Sequence, residues 1–161
     1  MNLVIANRQR TKKIIKRFLK EVTAELLTKL QVTEAELGII LVGAKEMARV
    51  NWCFLQHEGS TDVITFDHTE KRKAKRKTQK YLHGELYICV DEAIKQAEEF
   101  GTNWQAEVVR YVVHGVLHLL GYDDLKPQLR RRMKREENRL LRHLEKRFAL
   151  AHLSRAAKIG A

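Results

Sequence analysis

HGVLHLLGYDD, residues 114–124, decides how this chain is read. Two histidines stand four apart in an otherwise apolar run, which ends at Gly121 and is followed by Tyr122 and two aspartates. Residues four apart on a helix share one face, so the imidazoles of His114 and His118 can converge on a single ion. With seven histidines in the chain, such a pair carries little weight by itself. Gly121 adds weight, because a glycine can take the left-handed conformation that ends a helix and sends the next residues back along it. Asp124, six residues after His118, is placed to return toward the imidazoles. Asp123 is the neighbouring alternative, either as the ligand or as acceptor of a hydrogen bond from a ligating histidine. Two imidazoles and one carboxylate leave positions open for water and substrate, the pattern of a catalytic rather than a structural zinc site. The plain structural alternative is a pair of satisfied core histidines with Asp124 as a surface turn residue.

Outward from this run the pattern is that of alternating strands and helices. NWQAEVVRYVVHGVLHLLG is predicted as a helix with Trp104, Val108, Tyr111, Val112 and Leu119 on an apolar face that also holds the histidines. Pro127 opens a second helix, PQLRRRMKREENRLLRHLEKRFALAHL, with Leu129, Met133, Leu140, Leu141 and Leu144 inward and arginines outward. Upstream, NLVIAN, ELGIILVG, DVITF and ELYICV read as strands. TKKIIKRFLKEVTAELLTKL, AKEMARVNWCFL and DEAIKQAEEFGT read as helices, the last with Gly101 as C-cap.

The 161 residues, 44% of them hydrophobic, suffice for one cored domain and not for two. One domain over residues 1–148 is expected, with 149–161 as a C-terminal tail outside it. A net charge of +11 gives a field that attracts polyanions. The residues HTEKRKAKRKTQKYLHG are dense in Lys and Arg and read as a solvated loop over 69–81, or as an electrostatic arm for phosphate with Tyr81 and His83 as stacking partners. Arg130, Arg131, Arg132 and Arg135 read either as a solvated helix face or as phosphate contacts. The apolar part of MNLVIANRQR is too short for a signal peptide and no membrane span is evident, so the expected compartment is the cytoplasm. Cys53 and Cys89 form no disulfide framework and are expected to be small buried hydrophobes.

The run HGVLHLLGYDD resembles the signature of the YbeY family of bacterial endoribonucleases, in which a helix of the form H-G-x-L-H-L-x-G-Y-D-H supplies three histidines to a zinc ion. VNWCFLQHEGSTDVITF, GELYICVDEAIKQA and MKREENRLL resemble other family segments in the same order, so the likeness covers nearly all of the chain. It implies an α+β fold of the zincin-like kind, a small mixed sheet packed against helices. It also implies a single-strand-specific, zinc-dependent endoribonuclease acting in ribosomal RNA maturation, at the small-subunit 3′ end, and in ribosome quality control. One zinc per chain on His114, His118 and Asp124 is expected, with His114 and Asp123 in catalysis. The partners implied are RNA and the ribosome or its small subunit, with no DNA and no membrane.

Two departures accompany the likeness. Asp124 stands where the family has its third histidine, and Leu55 stands where it has an arginine. The alternative they support is a catalytically weakened ribosome- or RNA-binding factor of the same fold. A protease is disfavoured, because the glutamate that follows the first histidine in H-E-x-x-H is here Gly115. Thr61, Asp62 and Glu85 are softer candidates: turn and edge residues in the plain reading, and groups that orient substrate or water if their strands line the cleft.

Overall fold

The computed structural model describes residues 1–69 and 80–155. Its elements in chain order are β1 (Asn2–Asn7), α1 (Lys16–Lys29), β2 (Val32–Val42), α2 (Ala44–Leu55), β3 (Val63–Asp67), β4 (Lys80–Cys89), α3 (Val90–Phe100), α4 (Trp104–Leu119) and α5 (Pro127–Arg147). The strands form one sheet in the order β1-β2-β4-β3; β1, β2 and β4 run parallel, and β3 pairs antiparallel with β4. This is the mixed sheet against helices expected for an α+β chain.

Alternation along the strands builds two cores. Ala35, Leu37, Ile39 and Leu41 of β2 join Leu82, Leu86 and Ile88 of β4 in the larger core, with side chains of α1, α4 and α5. Ile40 and Val42 point to the other face, where Met47 and Val50 of α2 cover them together with Ile64 and Cys89. β2 and β4 both extend further toward their N-termini than ELGIILVG and ELYICV, because Val32, Ala35 and Leu82 are buried and the pairing begins at Val32 and Lys80.

Two glycines let α4 lie close on β4. A Cβ at Gly115 would come within 2.6 Å of the Leu86 side chain on β4, and one at Gly84 within 2.8 Å of the Leu119 side chain on α4. Gly115 therefore has no room for the glutamate of a zinc protease. Burial of α4 is nearly complete from Glu107 to Leu119, broken only by Arg110, His114 and His118. The histidines are thus not on the face that packs on the sheet, as expected from periodicity, but on a polar stripe one residue per turn that opens toward α5.

Other expectations shift for local reasons. α1 begins at Lys16, not at Thr11, because Ile15 is extended and donates its backbone N–H to the Leu153 carbonyl at 2.7 Å. Leu150–Leu153 form a 3-10 turn whose Leu150 and Leu153 are buried in the larger core, so packed chain continues past residue 148. Cys89 is buried, whereas Cys53 is exposed, since α2 turns Met47, Val50 and Asn51 inward and leaves Trp52, Phe54 and Leu55 exposed beside it. Most of the basic segment 69–81 and the last residues of the chain, 156–161, lie outside the described residues.

Candidate metal centre and cleft

The end of α4 sets the site. Gly121 has φ +99°, its N–H reaches the His118 carbonyl at 3.0 Å, and the Tyr122 N–H reaches the Leu117 carbonyl at 3.0 Å. These two bonds make a Schellman turn, which satisfies the helix's last carbonyls and reverses the chain. Residues 122–124 consequently run back beside the last turn of α4. The Tyr122 carbonyl meets His118 Nδ1 at 3.1 Å, and the Asp124 carboxylate meets the imidazole edges.

Three donor atoms then face one another. His114 Nε2 and His118 Nε2 are 3.0 Å apart, and Asp124 Oδ2 lies 3.5 Å from the second and 3.9 Å from the first. Ligands bound tetrahedrally to zinc at about 2.0–2.2 Å stand about 3.4 Å from each other, so the triangle has the size of a zinc face. Among the described residues this is the group of His, Cys, Asp and Glu side chains able to hold a metal ion.

Proton placement strengthens the fit. A carbonyl only accepts, so His118 Nδ1 donates to Tyr122 and its Nε2 carries a lone pair when the ring is neutral. His114 Nδ1 lies 2.7 Å from Glu137 Oε2 and donates to that carboxylate, which leaves its Nε2 a lone pair too. Two lone pairs and an anionic oxygen then converge on one point, an arrangement that only a cation or a captured proton relieves. Burial lowers the affinity of His114 for a proton, but the bond and charge of Glu137, with smaller contributions from Asp62 and Asp124, outweigh it and hold its pKa above the ordinary value. Burial likewise raises the carboxyl of Glu137, and the bond to His114 overcomes it to leave that group below the usual range.

Glu137 is the residue that sequence reasoning missed. It is buried on α5, and Arg110 Nη1 stands 3.5 Å from its other oxygen while also donating to Asn138 Oδ1 at 2.9 Å. The signal was present: Glu137 falls four residues after Met133 and three before Leu140, in the inward stripe of a helix otherwise lined by apolar residues there.

The triad opens into a cleft of about 230 Å³ lined by Asp62, Arg110, Tyr111, Arg130, Lys134 and Glu137 among others. Asp62 is therefore brought to the site, with Oδ1 held by the Val63 N–H at 2.8 Å. Thr61 reaches it only through Asp62, at 3.3 Å. Glu85 points to the opposite sheet face, where its carboxylate meets His68 at 3.0 Å. Asp123 accepts from the Leu125 N–H at 2.8 Å and shapes the turn; the acceptor positions behind the histidines are held by Glu137 and Tyr122 instead. Tyr111 carries a buried hydroxyl with no hydrogen-bond partner among the described residues, and burial, then the nearby Asp62, push its pKa far above that of an ordinary phenol. Arg130 Nε donates to the Asp124 carbonyl at 3.2 Å, which ties the ligand loop to α5.

A family model described as endoribonuclease YbeY matches residues 4–145, a span that contains the triad, Glu137 and all of the sheet except the first two residues of β1. The chain belongs to the endoribonuclease YbeY family. Among its relatives, the endoribonuclease YbeY of Chlorobium phaeovibrioides is 38% identical over 108 residues, covering 67% of this chain and 68% of that one. The protein of that name from Sulfurihydrogenibium sp. is 35% identical over 123 residues, covering 76% and 78%. The solution structure of TM1509 from Thermotoga maritima superposes with a TM-score of 0.65 at 23% identity, over 99% of each chain, and shares the fold. The family is metal-dependent, and in this member the donor set able to bind a metal is His114, His118 and Asp124. No helix among the described residues is long and apolar enough to cross a membrane.

Proposed function

We propose that this chain is a zinc-dependent endoribonuclease that cuts single-stranded regions of ribosomal RNA during maturation and quality control of the ribosome, acting in the cytoplasm. The observation that carries the reading is the convergence of His114 Nε2, His118 Nε2 and Asp124 Oδ2 at the mouth of a cleft lined by cations, in a member of an endoribonuclease family.

His114, His118 and Asp124 would hold the zinc, with one zinc per chain. When bound, zinc lowers the pKa of a coordinated water toward about 7 and polarises a phosphoryl oxygen. The chain's own groups do the rest. Glu137 and the Tyr122 carbonyl keep both imidazoles in the tautomer that presents Nε2. Arg110, Arg130 and Lys134 neutralise the negative charge of a phosphodiester entering the cleft. Asp62 faces the same space and is placed to orient the attacking oxygen and accept its proton. Asp123 supports the turn that delivers Asp124.

Asp124 in place of a third histidine does not favour the weakened, binding-only alternative, because its carboxylate reaches both imidazoles. Nor does Leu55, since three other cations line the cleft. The test is cleavage of a single-stranded oligoribonucleotide by the zinc-loaded protein, with Asp62→Asn and His114→Ala alongside. Metal-dependent internal cutting, lost in both variants, supports the enzyme. Tight RNA binding without cutting under any divalent metal supports the binding factor instead. A 5′-phosphate product identifies water as nucleophile and a 2′,3′-cyclic phosphate identifies the RNA's own 2′-hydroxyl.

A further inference from the structure

The cleft does not end at the metal triad. Lys134 lines it and also lines a second groove on the outer side of α5, together with Gln128, Arg131, Arg135 and Asn138. Arg135 and Asn138 in turn belong to a third groove that holds Arg132, Arg139 and Arg142. Three concave surfaces thus share lining residues and wrap α5 from the reacting centre to its far side. Their cations follow helical spacing: Lys134 and Arg135 stand three and four residues after Arg131, which sets each Cβ about 5–6 Å from that of Arg131, one toward the cleft and one away from it.

Not every charge on this path is available. Arg139 is bound to Glu136 by a forked pair at 2.7–3.1 Å, and Arg132 lies over the Tyr122 ring at 5.6 Å. Arg131, Lys134 and Arg135 are exposed, and among the described residues none of them closes an ion pair, although the Lys134 charge acts on Glu137 nearby. A row of exposed cations outside any ion pair costs stability through mutual repulsion unless a polyanion covers it.

We propose that the RNA strand leaving the reacting centre crosses α5, with Lys134 holding the phosphate at the cleft's rim and Arg131 and Arg135 holding the phosphates beyond it. The inference rests on the endoribonuclease reading and adds the path of the strand and the kind of recognition along it: sequence-independent, through phosphate, on the helix that also carries Glu137. These cations contact phosphate and not base edges, so they set affinity and register and leave base choice to other groups.

The experiment is a fluorescence-anisotropy titration of a labelled, uncleavable 2′-O-methyl single-stranded oligonucleotide with the zinc-loaded full chain, repeated across salt concentrations. Each single-strand phosphate that the protein ceases to neutralise lowers the slope of log K against log salt by about 0.7. Lys134→Gln is expected to lower it by about 0.7 and the pair Arg131→Gln with Arg135→Gln by about 1.4, with zinc content unchanged. Lys45→Gln, an equal change of charge on α2 across the sheet, is expected to leave the slope as it is. Slopes unchanged in the α5 variants while the wild type binds and cuts RNA would overturn the path alone, as would a Lys45→Gln effect equal to that of Lys134→Gln. A wild type that neither binds nor cuts RNA would overturn the endoribonuclease reading, and the path with it.

Discussion

His114 Nε2 and His118 Nε2 lie 3.0 Å apart while each ring's Nδ1 is committed to an acceptor, Glu137 in one case and the Tyr122 carbonyl in the other. Two neutral imidazoles so arranged repel, and the Asp124 oxygen 3.5 Å from one of them adds negative charge. The fold is thus organised to collect positive charge at one point, and four expectations follow from its parts.

Glu137→Gln keeps the shape of the acceptor and removes its charge. Zinc affinity is expected to fall about 10- to 100-fold, as for carboxylates behind ligating histidines elsewhere. A chelator-competition titration reads it directly; an unchanged affinity would mean that Glu137 does not tune His114.

Zinc binding is expected to weaken as pH falls. His114 has its pKa held above 6.5, so in the metal-free protein it keeps its proton at pH values where an ordinary histidine has lost it. Zinc must displace that proton, and apparent affinity rises with pH through and beyond that value. In Glu137→Gln the rise should move to lower pH. Calorimetric titration in buffers of different ionisation enthalpy counts the protons released, and a pH-independent affinity would refute the assignment.

Gly84→Ala places a Cβ against the Phe66 carbonyl and the Leu119 side chain, 2.6 and 2.8 Å away. Backbone cannot yield as a side chain can, so a destabilisation of about 1–3 kcal/mol is expected in urea denaturation. Full stability in this variant would mean that the Phe66 carbonyl of β3 and Leu119 of α4 do not close on Gly84 this tightly.

Tyr111→Phe removes a buried hydroxyl that has no hydrogen-bond partner among the described residues. An unpaired buried hydroxyl carries an uncompensated desolvation cost, so the variant is expected to be more stable by about 1 kcal/mol in urea denaturation. A destabilisation above about 1 kcal/mol would show that the hydroxyl is hydrogen-bonded in the working protein.

Much of this is legible in the sequence, and the failures have physical causes. The Schellman turn at Gly121 and the return of Asp124 follow from a glycine placed after an apolar helix, because local chemistry decides them. The environment of the histidines does not. Periodicity assigns a residue to a face but not to what lies across it, and α4 is so widely buried that its least buried stripe, Arg110, His114 and His118, is the functional one. Glu137 escapes notice because a charged residue in a run of arginines and glutamates looks solvated until the inward register of Met133 and Leu140 is counted through it. Cys53 is exposed against expectation because α2 covers only a small core, and its other side leaves apolar residues exposed.

The most direct test of the metal centre is the zinc content of the untagged protein, wild type against Asp124→Ala, by inductively coupled plasma mass spectrometry. About one zinc per wild-type chain is expected, and none in the variant, since two imidazoles alone do not complete the site. A wild type that takes up no zinc after incubation with it, or a variant that holds zinc as well as the wild type, would contradict the assignment.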